Sequence, residues 1–259
     1  MVPLPAARSS KPRRSGLTMM IDQGLPLGAL ADLLALAGDY ADLAKIKTGT
    51  ARLYAEKALT SKLACYRRHQ VQPFLGGQFH EYVFATQGAR ALPGFYGEAK
   101  RLGFAAIEIS DNVVPLSAAE RKKQIRAARQ AGLVVYGEVG SKETLSNPSL
   151  LVSQAEDCFA AGAALVLVEA AELVRKGKPN RRTLDSILKK LDLKKIMIEL
   201  PGPWIPEVRK CDVEALKKLL IEELGPDVNL ANVPPEDLID LETTRVGLGV
   251  AGPPKSLLR

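Results

Sequence analysis

The sequence predicts an α/β protein built as a single (β/α)8 TIM barrel, and three observations carry that prediction. Eight short apolar runs are separated by stretches with helical periodicity. The runs are continuously hydrophobic rather than alternating, which suits parallel strands covered on both faces. The alternation fills most of a 259-residue chain, close to the roughly 250 residues typical of one such barrel. The competing architecture, an open doubly wound sheet, expects a GxGxxG turn after its first strand, and none follows here.

The elements are justified in chain order. Residues 1–15 are rich in Pro, Ser, Ala and Arg and read as a flexible basic arm; residues 16–259 form the barrel domain. The first strand lies in "GLTMMID" (16–22), an apolar run closed by an acid, and leucines at helical spacing follow in "PLGALADLLALAGDYA". The second strand lies in "ADLAKIKTG" (41–49) and the third in "VQPFLGG" (71–77), which ends in a glycine pair. "FAAIEISD" (104–111) is the fourth. After it, "SAAERKKQIRAARQAG" carries Ser117 and Glu120 as a capping box and stops at Gly132. "GLVVYGEVG" (132–140), "AALVLVEA" (163–170), "KKIMIELP" (194–201) and "PDVNLANV" (226–233) complete the set. The amphipathic stretches "TLDSILKKLD", "VEALKKLLIEELG" and "PEDLIDLETTR" are the late helices, with Pro234 and Pro235 placed to start the last of them.

Composition narrows the function classes. Hydrophobic residues make up 46% and charged residues 25% of the chain, which is ordinary for a soluble globular protein. No apolar run approaches the roughly 20 residues that span a bilayer, so no membrane role is expected. The net charge of +7 is concentrated in Arg8, Lys11, Arg13 and Arg14 of the arm and in Lys255 and Arg259 at the other end. The body is nearly neutral, and no nucleic-acid partner is expected. Cys65, Cys158 and Cys211 are widely spaced and match no ligand spacing. They read as reduced thiols of a cytoplasmic protein. With only two histidines, any metal must be held by oxygen. Self-association into a homo-oligomer is compatible with this composition and is not specified by it.

The strand ends carry the chemistry. Asp22 closes the first strand, Lys45 and Lys47 the second, Glu108 and Asp111 the fourth, Glu138 and Lys142 the fifth, Glu169 and Glu172 the sixth, and Glu199 the seventh; Asn229 and Asn232 lie at the eighth. The four glutamates recur about every 30 residues, the length of one βα unit, which brings them to one end of one barrel. That end is the C-terminal face, where barrel enzymes place their active sites. Buried carboxylates in such numbers repel one another and lose hydration. A hard divalent cation and several lysines relieve that cost, oxygen ligands suit Mg²⁺, and the same lysines suit a small anionic substrate. Backbone N–H groups at Gly76 and Gly77, and Arg245 beside the glycine-rich "VGLGVAG", are further candidates for anion binding. Trp204, in "PGPWIP", reads as a packing residue.

In their order, the segments "GLTMMIDQG", "KIKTGT", "GGQFHEY", "GFAAIEISDN", "GEVGSK", "VLVEAAE", "IELP" and "VNLAN…LETTRVGL" resemble the phosphosulfolactate synthase family, a group that also includes plant heat-stress-associated proteins. The resemblance implies a (β/α)8 barrel and a Mg²⁺-dependent lyase that adds sulfite to phosphoenolpyruvate on a route to coenzyme M. It implies catalytic roles for Lys142, Lys45 and Glu108, with Lys142 of "GEVGSK" as the general acid. Glu108, Glu138 and Glu169 match the family's strand-end acids and are assigned to the metal. Lys47, Gly76, Gly77, Ser110, Ser141, Asn229 and Arg245 are assigned to the substrate.

The chain departs from the family pattern at basic positions. Gln23 stands where the family usually has lysine, Ala171 and Gly249 where it has arginine, and Lys47–Thr48 where it has glycine and tryptophan. These changes leave an alternative expectation, a family member without synthase activity and with a stress-related or interaction role.

Overall fold

The computed structural model describes residues 4, 6–140, 147–169, 174–175, 178–179, 181–205 and 208–249. Eight parallel strands close into a barrel: β1 (Thr18–Asp22), β2 (Leu43–Ile46), β3 (Gln72–Leu75), β4 (Ala106–Ile109), β5 (Val134–Val139), β6 (Leu165–Glu169), β9 (Ile196–Glu199) and β10 (Leu230–Val233). Two-residue strands β7 (Val174–Arg175) and β8 (Lys178–Pro179) form a small antiparallel hairpin between β6 and β9. Nothing in the sequence had pointed to it. Each barrel strand pairs with its neighbours in the order β1-β10-β9-β6-β5-β4-β3-β2.

The helices cover the outside: α1 (Leu27–Ala37), α2 (Glu56–Arg68), α3 (Gly77–Gln87), α4 (Leu92–Leu102), α5 (Ala118–Gln130), α6 (Pro148–Ala161), α7 (Arg181–Lys190), α8 (Lys210–Leu224) and α9 (Leu238–Arg245). Both α3 and α4 fall between β3 and β4. The expected cap at Ser117 is present, its hydroxyl accepting from the Glu120 N–H at 3.2 Å. Asn147 caps α6 in the same way, ahead of Pro148. Among the described residues, no helix is long and apolar enough to cross a membrane.

The strand period sorts the core into two layers. Leu43, Phe74, Ala106, Tyr136, Leu167 and Met197 point into the barrel and form its interior cluster, where Phe74 meets Tyr136 edge-on at 5.0 Å. The alternate residues, such as Ala44, Ile107, Val135, Val166 and Ile198, pack outward against the helices. Two residues beyond an interior position the side chain points inward again. Lys45 therefore stands above Leu43, Glu108 above Ala106, Glu138 above Tyr136 and Glu199 above Met197.

The opposite, N-terminal end of the barrel is closed by ion pairs. Three basic residues of the segment expected to be a flexible arm, Arg8, Lys11 and Arg13, make contacts there. Arg8 bridges Asp227 at 2.6 Å and Glu242 at 3.0 Å. Arg13 pairs with Asp42 at 3.1 Å, and Lys11 donates to the carbonyl of His69 at 2.9 Å. The partners lie up to 234 residues away along the chain, so no local pattern announces them.

Candidate active site

A cavity of about 460 Å³ opens at the C-terminal end of the strands. Its floor is charged. Lys45 Nζ lies 2.7 Å from Glu108 Oε2 and donates to Glu199 Oε1 at 2.5 Å. Glu108, Glu138 and Glu199 are each buried, and each offers a carboxylate oxygen within 4.8 Å of the others. Burial alone draws the Lys45 pKa down, but Glu108, Glu199 and Glu138 outweigh it and hold the ammonium above the ordinary lysine value.

The carboxylates are oriented by groups on neighbouring elements. Glu108 Oε1 accepts the Gly77 N–H at 3.1 Å. Gly77 has to be a glycine, because a Cβ there would fall 2.1 Å from Ser110 Oγ and 2.9 Å from Glu108 Oε1. Glu138 Oε1 accepts from Asn112 Nδ2 at 2.8 Å. Asn112 sits on a loop fixed by Glu81 of α3, a buried residue that accepts from the Ser110 hydroxyl and from the N–H groups of Asn112, Val113 and Val114 at 3.2, 2.7 and 2.8 Å. Sequence reading passed over Glu81, because a charged residue on a helix resembles a solvated one. Its only trace was its place in "GGQFHEY".

The wall is built by the β2 and β9 loops. Lys47 Nζ lies 3.5 Å above the centroid of the Trp204 ring, and Trp204 in turn packs on Gly202, where a Cβ would stand 2.1 Å from the indole. Trp204 is thus a wall residue of the cavity and more than packing. Thr48 (φ 48°) and Asn232 (φ 59°) line the same cavity in left-handed backbone conformations, which is unusual outside glycine. Asn232 is 8% exposed. Its Nδ2 donates to the Leu200 carbonyl at 3.4 Å, and its Oδ1 has no hydrogen-bond partner among the described residues.

The expected site residues divide accordingly. Lys45, Lys47, Gly76, Gly77, Glu108 and Glu138 all line the cavity. The glycine N–H groups do not face an incoming anion, however, since Gly76 donates to the Ile46 carbonyl and Gly77 to Glu108. Ser110 is engaged by Glu81. Glu169 is buried and paired in register with Glu199, but the third carboxylate of the cluster is Glu199. Asn229 and Arg245 belong to the other end of the barrel. The Asn229 side chain joins Leu17 N–H to the carbonyls of Leu193, Lys194 and Ile196. Arg245, with no exposed surface, donates to the carbonyls of Pro226 and Val228. Asn229 precedes β10 rather than following it, and Arg245 ends a helix that runs back down the barrel. Ser141 and Lys142 lie outside the described residues, as do Glu172 and Ala171.

Residues 6–250 match the family model described as (2R)-phospho-3-sulfolactate synthase (ComA). The chain belongs to the phosphosulfolactate synthase family. It is 31% identical over 252 residues to phosphosulfolactate synthase of Methanothermobacter thermautotrophicus, covering 93% of this chain and 92% of that one. The Bacillus subtilis phosphosulfolactate synthase is 32% identical over 254 residues, 93% of each chain. Protein HEAT-STRESS-ASSOCIATED 32 of Arabidopsis thaliana is 23% identical over 266 residues, covering 92% of this chain and 88% of that one. Among solved structures, phosphonopyruvate hydrolase in complex with oxalate and Mg²⁺ shares the fold with a TM-score of 0.52 at 15% identity, over 86% of this chain and 77% of that one.

The donor set fits a hard cation. Among the described residues, the three converging groups are carboxylates, the Asn232 Oδ1 in the same cavity is an unpaired oxygen acceptor, and the cavity lining holds no sulfur or imidazole. All-oxygen surroundings suit Mg²⁺ better than a softer metal.

Proposed function

We propose that this protein is a phosphosulfolactate synthase-like lyase, adding sulfite to phosphoenolpyruvate or a closely related small anion with the help of Mg²⁺. One observation carries the reading: two lysines and three converging glutamates share one cavity at the C-terminal mouth of a barrel of this family. The names of the bacterial and archaeal relatives support it, and so does the oxalate and Mg²⁺ complex of a protein with the same fold.

In this reading Lys47 and Lys45 bind the phosphate and carboxylate of the substrate. Glu108, Glu138 and Glu199 would hold the cation, which when bound supplies stabilisation of the negative charge that develops on the substrate carboxylate. Sulfite sulfur forms the new carbon–sulfur bond at the methylene carbon, and the electron pair of the double bond moves toward the carboxylate-bearing carbon. A proton delivered to that carbon completes the addition. Lys142, at the end of "GEVGSK", is the donor in this scheme, with Ser141 beside it among the substrate contacts. Lys45 brings a positive charge to the substrate and offsets the developing anion.

The test is an assay of purified protein with phosphoenolpyruvate, sulfite and Mg²⁺, in parallel with Lys142→Ala. Sulfite-dependent product in the wild type, reduced at least a hundredfold in the variant, is the expected result. The absence of turnover together with no phosphoenolpyruvate-induced rise in melting temperature overturns it, and favours the non-synthase branch that the 23% identity to the plant heat-stress protein represents.

A further inference from the structure

Lys45 occupies the position a cation needs. Its Nζ lies 2.7 Å from Glu108 and 2.5 Å from Glu199, two of the three residues whose carboxylates converge. A magnesium ion takes oxygen ligands at about 2.0–2.1 Å, so an ion bound through these two carboxylates would lie within a few ångströms of the ammonium. Two cations that close, in a buried site, repel strongly. Both cannot hold the same pair of carboxylates. The site has room for one to leave: the Lys45 side chain lines a cavity of about 460 Å³ that continues to Lys47. One acceptor in that cavity, Asn232 Oδ1, has no partner among the described residues.

From this geometry we infer that Lys45 and a divalent cation alternate on Glu108 and Glu199, so that loading the cation swings the Lys45 ammonium into the cavity, where it meets the anionic substrate. Lys45 is then an internal counter-ion before the cation binds and a substrate-binding group afterwards. It keeps the carboxylate cluster from being an uncompensated buried charge in the metal-free protein. Cation and substrate anion reinforce one another, because each favours the same position of one side chain, and the reinforcement is reciprocal. The inference rests on the cation reading given above, but not on the identity of the reaction.

Two measurements decide it, and neither needs turnover. The first is Mn²⁺ affinity of the full chain by titration calorimetry, in the wild type and in Lys45→Met. Removing the competing ammonium tightens Mn²⁺ binding by roughly ten- to a hundredfold, since a buried ion pair no longer has to be broken. Lys45→Arg, which keeps the charge, does not tighten it. Equal or weaker binding by Lys45→Met overturns the inference. The second is a crystal structure of the wild type with Mn²⁺ and phosphoenolpyruvate, the ion located by its anomalous signal; it decides the matter even where Lys45→Met does not fold. Mn²⁺ on the glutamates with Lys45 Nζ beyond hydrogen-bond distance of Glu199 is the expected result. Mn²⁺ there with both Lys45 contacts kept, or no Mn²⁺ on these glutamates, overturns it. A protein that shows the expected exchange but no synthase activity retains this mechanism and loses the proposed reaction.

Discussion

Replacing Glu81 with glutamine tests how the site is held in shape. The carboxylate accepts four hydrogen bonds, two at each oxygen: Ser110 and Asn112 at Oε1, Val113 and Val114 at Oε2. Glutamine has one carbonyl oxygen, which serves one of these pairs. With that oxygen toward Val113 and Val114, the NH₂ group donates to the Ser110 hydroxyl and leaves the Asn112 N–H unpaired. Hydrogen bonds to a charged group contribute roughly 1.5–3 kcal/mol each and neutral ones about 1, so losing one bond and the charge assistance of the other three costs about 4 kcal/mol. For a chain of this size each kcal/mol moves the melting midpoint by about 2 °C, which gives a fall of about 8 °C in Glu81→Gln. Calorimetry or circular dichroism reads this directly. The same variant releases the loop that aims Asn112 at Glu138, and turnover should fall by about tenfold or more with it. A midpoint within 2 °C of the wild type would refute the account of Glu81 as the organiser of this loop.

Other perturbations give separate checks. His80 is buried with Nδ1 unpartnered among the described residues and Nε2 against the Tyr96 hydroxyl, and burial lowers its pKa from 6.5 to about 4. The unfolded chain therefore takes up the proton first, so stability is complete above pH 6.5 and is lost as pH falls toward 4, by about 3 kcal/mol at 1.36 kcal/mol per pH unit. Denaturant unfolding of His80→Gln against wild type across that window should show a flatter pH dependence by that amount. Gly77→Ala drives a methyl group into Ser110 and Glu108 and should lower turnover at least a hundredfold. Gly76→Ala, whose Cβ meets the Ile46 carbonyl at 3.3 Å, should be milder in the same assay. Arg8→Ala leaves the nearly buried Glu242 without its arginine and should cost about 3 kcal/mol of stability, while Mn²⁺ affinity at the far end of the barrel stays unchanged.

What could be read in advance follows from which interactions are local. The barrel was legible because the strands lie in mostly apolar runs and every βα unit has a similar length. Lys45, Glu108 and Glu138 were legible for the same reason, since strand direction and a two-residue period put them at one mouth. Glu199 was visible as a strand-end acid, but choosing it over Glu169 needs the strand-to-strand stagger, which no single strand encodes. Asn229 and Arg245 have suitable chemistry at the wrong end, and only the direction of their elements reveals it. Glu81 and the arm's Arg8 act through partners 29 to 33 and 219 to 234 residues away, respectively, and neither has a pattern of its own.

The stacking of Lys47 on Trp204 has a practical side. The chain has a single tryptophan, and that indole lines the cavity with an ammonium 3.5 Å from its centroid. An anion that draws Lys47 off the ring changes the electric field at the only strong emitter in the protein. Intrinsic fluorescence of the unlabelled chain is therefore a direct optical reporter of what enters the barrel mouth, one that can screen sulfite, phosphoenolpyruvate and their analogues in a cuvette before any product is assayed.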